Sequence, residues 1–558
     1  MTIYTSDDAS PVRRLADDLA RRLLDADPFL GTGLGLREYD ALVPDPSAAA
    51  EQALDADLAA FAARCDEVEP ADAAERVTLA VVRATCERRR LAIAAGEIEY
   101  TVSAMPIAGP PMIFALAART VLPDERAARD YLSRLAGLAD WIDASTARLA
   151  EGRTKGRAPV GSLVDQAVDW AERTLAADVP AAFTTPAPPA GWDGTAQWST
   201  ERDRIVVDEV LPAVRRWCDL LVELRPHARS DEQAGLGALP GGDEDYLRAI
   251  AFHTTLPLTA EELHAIGLAE VERLEARALD LGARIGPADL PAVIAAVRAS
   301  ASELDAESAL AAARTAVARA EARAAEMMPP PLPEPCAVTP MPATVGESGM
   351  APHYTRPQQD GSRPGTFWFN TLRPTAGAGW DLEAVAFHET VPGHHSQVAR
   401  TQVLDDLPLL QQLTITVHAE GWGLYAERLA GEFGLYSDVR AEIGSVYIEM
   451  HRAARLVVDT GLHAFGWSRA RAVEYVVEHV ALPESFLANE IDRYIAWPGQ
   501  ALAYLAGQRE ILRLRAKAEA ALGDAFDLPA FNGALLDSGS VPMPVLAGIV
   551  DDWITSRG

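Results

Sequence analysis

The chain has 558 residues, with 50 Lys+Arg against 81 Asp+Glu, a formal net charge of −31, 49% hydrophobic residues and 6% aromatics. That composition belongs to a soluble globular protein large enough for a sizeable core. The acidic balance, with a pI of about 4.7, argues against polyanionic partners, because nucleic acid and anionic lipid are held by clustered Lys and Arg.

The N-terminus, MTIYTSDDASPVRRLADDLA, carries aspartates where a signal peptide needs a basic start and an apolar run, and no later segment has 18 uninterrupted apolar residues. A cytoplasmic protein that does not span a membrane is expected. Cys65, Cys86, Cys218 and Cys336 are scattered without ligand-like spacing, so each reads as a small buried hydrophobe rather than part of a disulfide framework or thiolate site.

Along the chain, Ala/Leu/Arg/Glu-rich stretches repeat apolar residues three and four apart, so the predicted fold is mainly α. Helices are expected through residues 11–150 and over 158–182, up to the Pro/Gly-rich break TTPAPPAGWDG at 184–194, and again over 197–224. Thr259 with Glu262 forms a capping box that opens a helix running to 284. A helix over 303–328 stops at Pro329-Pro330-Pro331, since proline cannot continue it. Residues 332–375 then turn Pro- and Gly-rich, with the clearest strand at 365–370, which predicts a small β insertion. Helical texture returns over 380–525.

Six of the 11 histidines fall within residues 388–463, and histidine is the commonest metal ligand. The sharpest segment is His388-Glu389-Thr390-Val391-Pro392-Gly393-His394-His395. It resembles the zinc-protease motif HExxH, in which two histidines one helical turn apart share a face and the glutamate takes a proton from water that the metal activates. Here Pro392 occupies the position of the second histidine, so the second ligand is His394 or His395. In an unbroken helix His395 would share the face of His388 but lie about 10 Å along the axis, too far for one ion; a bulge at Pro392-Gly393 would return His394 to the side of His388. A catalytic zinc takes a third protein ligand, and Glu420, 26 residues after His394, is the candidate. Glu427, seven residues further, is placed to orient a histidine from behind.

The blocks HETVPGHHSQ, HAEGWGLYAERL, RAARLVVDTGLHAFGW and RYIAWPGQALAYLAG resemble, in order, those of the bacterial DUF885 proteins. Those proteins are similar in arrangement to helical gluzincin metallopeptidases such as angiotensin-converting enzyme, the thimet oligopeptidase group and thermostable carboxypeptidases. The resemblance implies a two-lobed helical fold, divided as 1–250 and 251–558 with the β insertion at 332–375 beside the active-site helix, and a deep cleft with one Zn2+ per chain. Carried over, His388, His394 and Glu420 are zinc ligands and Glu389 the general base, with His395 the alternative ligand.

An oxyanion donor is also needed, and Tyr504 is the candidate, with Gln500 four residues before it and Tyr494 nearby. Arg452, Arg455 and His463 share one predicted helix, where an arginine can hold a substrate carboxylate, and His463, Arg455 and Gln500 are the expected substrate-binding residues. The strand at 366–370 can add an extended substrate as one more strand, or simply alternate between core and solvent. The expected function is zinc-dependent hydrolysis of a short peptide or small amide. Its rivals are a metal-dependent tailoring enzyme acting on a non-peptide small molecule and a metal-free, inactive binding protein.

Overall fold

The computed structural model describes residues 9–300, 305–341, 351–357, 363–372, 379–404 and 406–557. It is mainly helical with one three-stranded sheet. None of the described helices is long and apolar enough to cross a membrane.

The site is framed by seven helices: α1 (Ala260–Ala283), α2 (Leu382–Glu389), α3 (His394–Val403), α4 (Thr416–Glu432), α5 (Val439–His463), α6 (Glu484–Ala496) and α7 (Ala503–Leu522). The predicted capping box opens α1: the Glu262 N–H donates to the Thr259 hydroxyl, and the Thr259 N–H donates to the Glu262 carboxylate. The expected helix at 303–328 spans Ala306–Glu321 with a short turn Ala324–Met327 after it, and residues 301–304 lie outside the described residues. The expected helix over 197–224 is interrupted, because a wider turn at Val206–Val210 joins Thr195–Ile205 to Leu211–Leu224.

Three apolar cores hold these elements. One gathers Leu15, Leu19 and Val82 from the N-terminal helices with Phe367, Phe387, Trp422 and Leu514. A second lies between α1 and α5, with Leu263, Val271, Met450 and Val457 at its centre. The third is built from residues between Val102 and Leu224, including Tyr131, Trp198 and Trp217. All four cysteines are free and buried within the fold, as their scattering predicts.

Glycines set the closest helix contacts. A Cβ on Gly421 of α4 would lie 2.6 Å from the Gly507 backbone of α7, and one on Gly507 would lie 2.1 Å from the Val417 carbonyl oxygen. Any larger residue would push α4 and α7 apart, so the pair sets Glu420 and Tyr504 on helices packed backbone against backbone.

The sheet falls inside the expected insertion, of which 342–350, 358–362 and 373–375 lie outside the described residues. Its order is β1 (Ala337–Pro340), β3 (Thr366–Phe369), β2 (His353–Thr355). β1 runs parallel to β3, and β2 antiparallel with Tyr354 opposite Phe367. Phe367 and Phe369 are buried and Trp368 is half-buried, the alternation of a strand with one face on the core. The expectation that the strand at 366–370 receives a substrate strand is overturned, because β3 is central and both its edges are occupied. The strand whose outer edge meets the site is β2.

Candidate metal centre

The break in the HExxH pattern is the feature that builds the site. α2 ends at Glu389, and Thr390 to Gly393 fold back over its last turn, with the Gly393 N–H donating to the Phe387 carbonyl at 3.1 Å. A Cβ at residue 393 would lie 1.9 Å from the His388 carbonyl oxygen, so only glycine permits this return. The Trp422 indole of α4 donates to the Pro392 and Gly393 carbonyls at 2.9 and 3.1 Å and pins the break in place. α3 then starts at His394, directly beside His388, with ring centroids 4.6 Å apart.

Facing both rings is Glu420. One of its carboxylate oxygens lies 3.4 Å from His388 Nε2 and 3.7 Å from His394 Nε2. These separations are longer than a good hydrogen bond. Two donors each about 2.0–2.1 Å from a shared tetrahedral ion lie about 3.4 Å apart, so the residues present fit a zinc ion. Among the described residues, His388, His394 and Glu420 form a group with ligand atoms all within 4.8 Å of one another.

Behind His388, its Nδ1 is 2.7 Å from a Glu427 carboxylate oxygen. That contact holds Nδ1 protonated and turns Nε2 toward Glu420, where it binds a metal once it gives up its own proton. Gly423 makes room for the ring, since a Cβ there would lie 2.4 Å from His388 Cε1. Burial opposes a charged His388, but Glu420 and Glu427 on its two sides raise its pKa to about 10. Burial likewise works against the Glu420 carboxylate, and the two imidazoles outweigh it and hold its pKa well below the ordinary value. A site that stabilises an imidazolium at neutral pH has the negative field a divalent cation needs, and proton and cation compete for the same nitrogen.

Glu389, the last residue of α2, turns toward the sheet: one carboxylate oxygen accepts the Tyr354 N–H of β2 at 2.8 Å. The other oxygen takes part in no hydrogen bond or ion pair among the described residues. His395, left open by sequence as an alternative ligand, is turned away from the cluster. Its Nε2 meets the Glu334 carbonyl at 2.7 Å and its Nδ1 the Tyr354 hydroxyl at 3.1 Å. It ties α3 to the sheet, and Gly365 leaves it space, a Cβ there falling 2.6 Å from His395 Nδ1.

Tyr504, on α7, lies within electrostatic reach of Glu420. Burial raises its phenol pKa, and the nearby Glu420 charge raises it further. The Arg455 guanidinium packs over its ring at 4.5 Å, and its hydroxyl has no hydrogen-bond partner among the described residues. Arg455 donates to the Tyr494 hydroxyl and to Glu490 at 2.8 and 2.9 Å, which leaves its buried Nη1 without a partner. Gln500 precedes α7 in a short turn, and its carbonyl oxygen accepts from Arg493 at 2.6 Å.

His463, expected to bind substrate, is occupied inside the protein instead. Its Nδ1 accepts the Leu236 N–H at 3.1 Å and its Nε2–H donates to the Tyr494 carbonyl at 3.0 Å. Protonation would set Nδ1–H against an N–H, and burial lowers the pKa to about 3. The unfolded chain, with its ordinary value near 6.5, takes up the proton first. The stability His463 supports is therefore complete above about pH 6.5 and is lost as the pH falls toward 3. The expected result is a denaturation midpoint that falls between pH 7.5 and 5, and a His463→Gln variant that starts about 1–3 kcal/mol lower and falls less steeply.

Sequence reasoning missed Gly423, Trp422 and Tyr354. The two glycines of G-W-G inside a helical run were a legible sign of close approach. Nothing local to Tyr354 points to Glu389.

Comparison with known proteins places the chain among bacterial proteins. A family model described as a bacterial protein of unknown function, DUF885, matches residues 28–550. A solved structure of a putative lipoprotein from Colwellia psychrerythraea is similar with a TM-score of 0.89 and 26% identity, covering 98% of this chain and 99% of its own. Another, of a putative lipoprotein of unknown function from Shewanella oneidensis, shares the fold with a TM-score of 0.74 and 16% identity, covering 97% and 100%. No curated protein matches the chain.

Proposed function

From the premise that the chain belongs to the DUF885 family of bacterial proteins of unknown function, we propose that it is a zinc-dependent hydrolase of short peptides or related small amides, built on a two-lobed helical scaffold of the gluzincin kind. One observation carries this reading: His388, His394 and Glu420 converge with ligand spacing, and the Glu389 carboxylate is fixed at the end of the helix that carries His388. Two histidines, one carboxylate and an adjacent glutamate are the donor set and base of a hydrolytic zinc site.

His388, His394 and Glu420 hold the ion, and Glu427 orients His388. Zinc there supplies Lewis acidity, polarising a carbonyl and acidifying a water. Glu389 takes a proton on the carboxylate oxygen not engaged by Tyr354 and returns it to the leaving nitrogen. The Tyr504 hydroxyl donates to the oxygen on which negative charge develops. Arg455, whose guanidinium packs over the Tyr504 ring, and Gln500 hold a substrate carboxylate.

The test is hydrolysis of dipeptides and N-acyl amino acids by the full chain after zinc reconstitution. Turnover abolished by a chelator and restored by zinc is expected. A zinc-loaded protein inert on the whole panel contradicts the amide reading and favours a tailoring reaction on a non-peptide molecule.

A further inference from the structure

In a chain of net charge −31, a cavity of about 760 Å³ is lined by five arginines, Arg37, Arg119, Arg134, Arg356 and Arg363. Three of them are accounted for within the fold, Arg119 among them. Arg37 pairs with Asp124 at 2.7 Å, and Arg134 donates to the Thr32 hydroxyl and the Tyr39 carbonyl at 2.6 Å each, with Glu38 and Asp40 also on the wall.

Arg356 and Arg363 are different. Neither forms an ion pair with a described carboxylate, and the one contact between them is Arg363 Nη2 donating to the Arg356 carbonyl at 3.2 Å. The Nε of Arg363 is buried with no partner. Burial of the Arg356 guanidinium lowers its pKa, and the Tyr354 phenol is the one described group that raises it. Two guanidiniums on one cavity wall, one with a buried idle donor, cost free energy unless an anion meets them.

The cavity, which no residue of the metal centre lines, is tied to that centre through β2. Arg356 lies two residues beyond Tyr354, whose N–H holds Glu389, a step of about 7 Å along an extended strand. His353, next to Tyr354, is within electrostatic reach of both Glu389 and the cavity-lining Arg119.

We propose that Arg356 and Arg363 bind a carboxylate carried by the acyl part of the substrate, so that the enzyme acts on anionic acyl amides. The inference rests on the hydrolase reading for the word substrate, but the anion site itself does not need it. Long-range repulsion by the acidic surface disfavours an anionic ligand, and a planar guanidinium pair overcomes it locally by bidentate contacts.

The test is calorimetric titration of chelator-treated full chain with glutarate, its neutral diamide glutaramide, and inorganic phosphate. Saturable glutarate binding is expected, with none for glutaramide, weakened about tenfold or more in Arg356→Gln and in Arg363→Gln, less in Arg356→Lys, and unchanged in Glu389→Gln. No saturable glutarate binding, or equal binding by the arginine variants, overturns the site. Phosphate bound at least tenfold more tightly than glutarate overturns the carboxylate assignment. With zinc restored, kcat/KM is expected to favour N-succinyl-alanine over N-succinamoyl-alanine, whose acyl part is neutral, by about tenfold, a preference lost in Arg356→Gln. Glutarate binding without any hydrolysis would retain the anion site and remove only the hydrolase reading.

Discussion

Glu389→Gln is expected to lower kcat by about 10²–10⁴-fold, the range for loss of a general base, with zinc content and folding unchanged. The geometry makes this a clean substitution. The Tyr354 N–H donates to one Glu389 oxygen at 2.8 Å, and a glutamine carbonyl accepts the same bond from the same position. What glutamine cannot do is take a proton at the other end, where an NH2 replaces the working oxygen. A loss of activity with KM little changed places the defect in the chemical step. Retention of full activity would remove Glu389 from the mechanism.

The second large effect separates the two adjacent histidines. His394→Ala removes a ligand whose Nε2 lies 3.7 Å from the shared Glu420 oxygen. Zinc affinity is expected to fall by more than about 100-fold, since changes merely behind a ligand already cost 10–100-fold. His395→Gln keeps a donor for the Glu334 carbonyl, which His395 Nε2 meets at 2.7 Å. It loses the bond to the Tyr354 hydroxyl, so it is expected to cost about 1–2 kcal/mol of stability and to leave zinc bound. Equilibrium dialysis with zinc and a denaturant titration read the two effects independently.

What was legible in the sequence follows from range. The helical fold, the capping box at Thr259, the small sheet and the alternation of Phe367 and Phe369 are written in local periodicity and turn chemistry. The partner of His388 was also within reach, because Pro392-Gly393 announces a break and a break is what lets His394 return. The choice between His394 and His395 was not, since it depends on Gly365, Tyr354 and Glu334, the last of them 61 residues before His395.

His463 misled for the same reason. It sits in a histidine-rich helix, but the group that occupies its Nδ1 is the Leu236 N–H, 227 residues away in the chain. Arg356 and Arg363 carry no local pattern at all, and only the cavity they share with residues of the N-terminal helices gives them meaning.

The central claim is that His388, His394 and Glu420 form one zinc site, and elemental analysis of the purified chain after zinc reconstitution and removal of free metal tests it most directly. About one zinc per chain is expected in the wild type, in His395→Gln and in Glu389→Gln, and none in His388→Ala, His394→Ala or Glu420→Ala, each checked for folding by circular dichroism. A wild-type chain that retains no zinc, or a folded His394→Ala variant that keeps its full complement, would contradict the account.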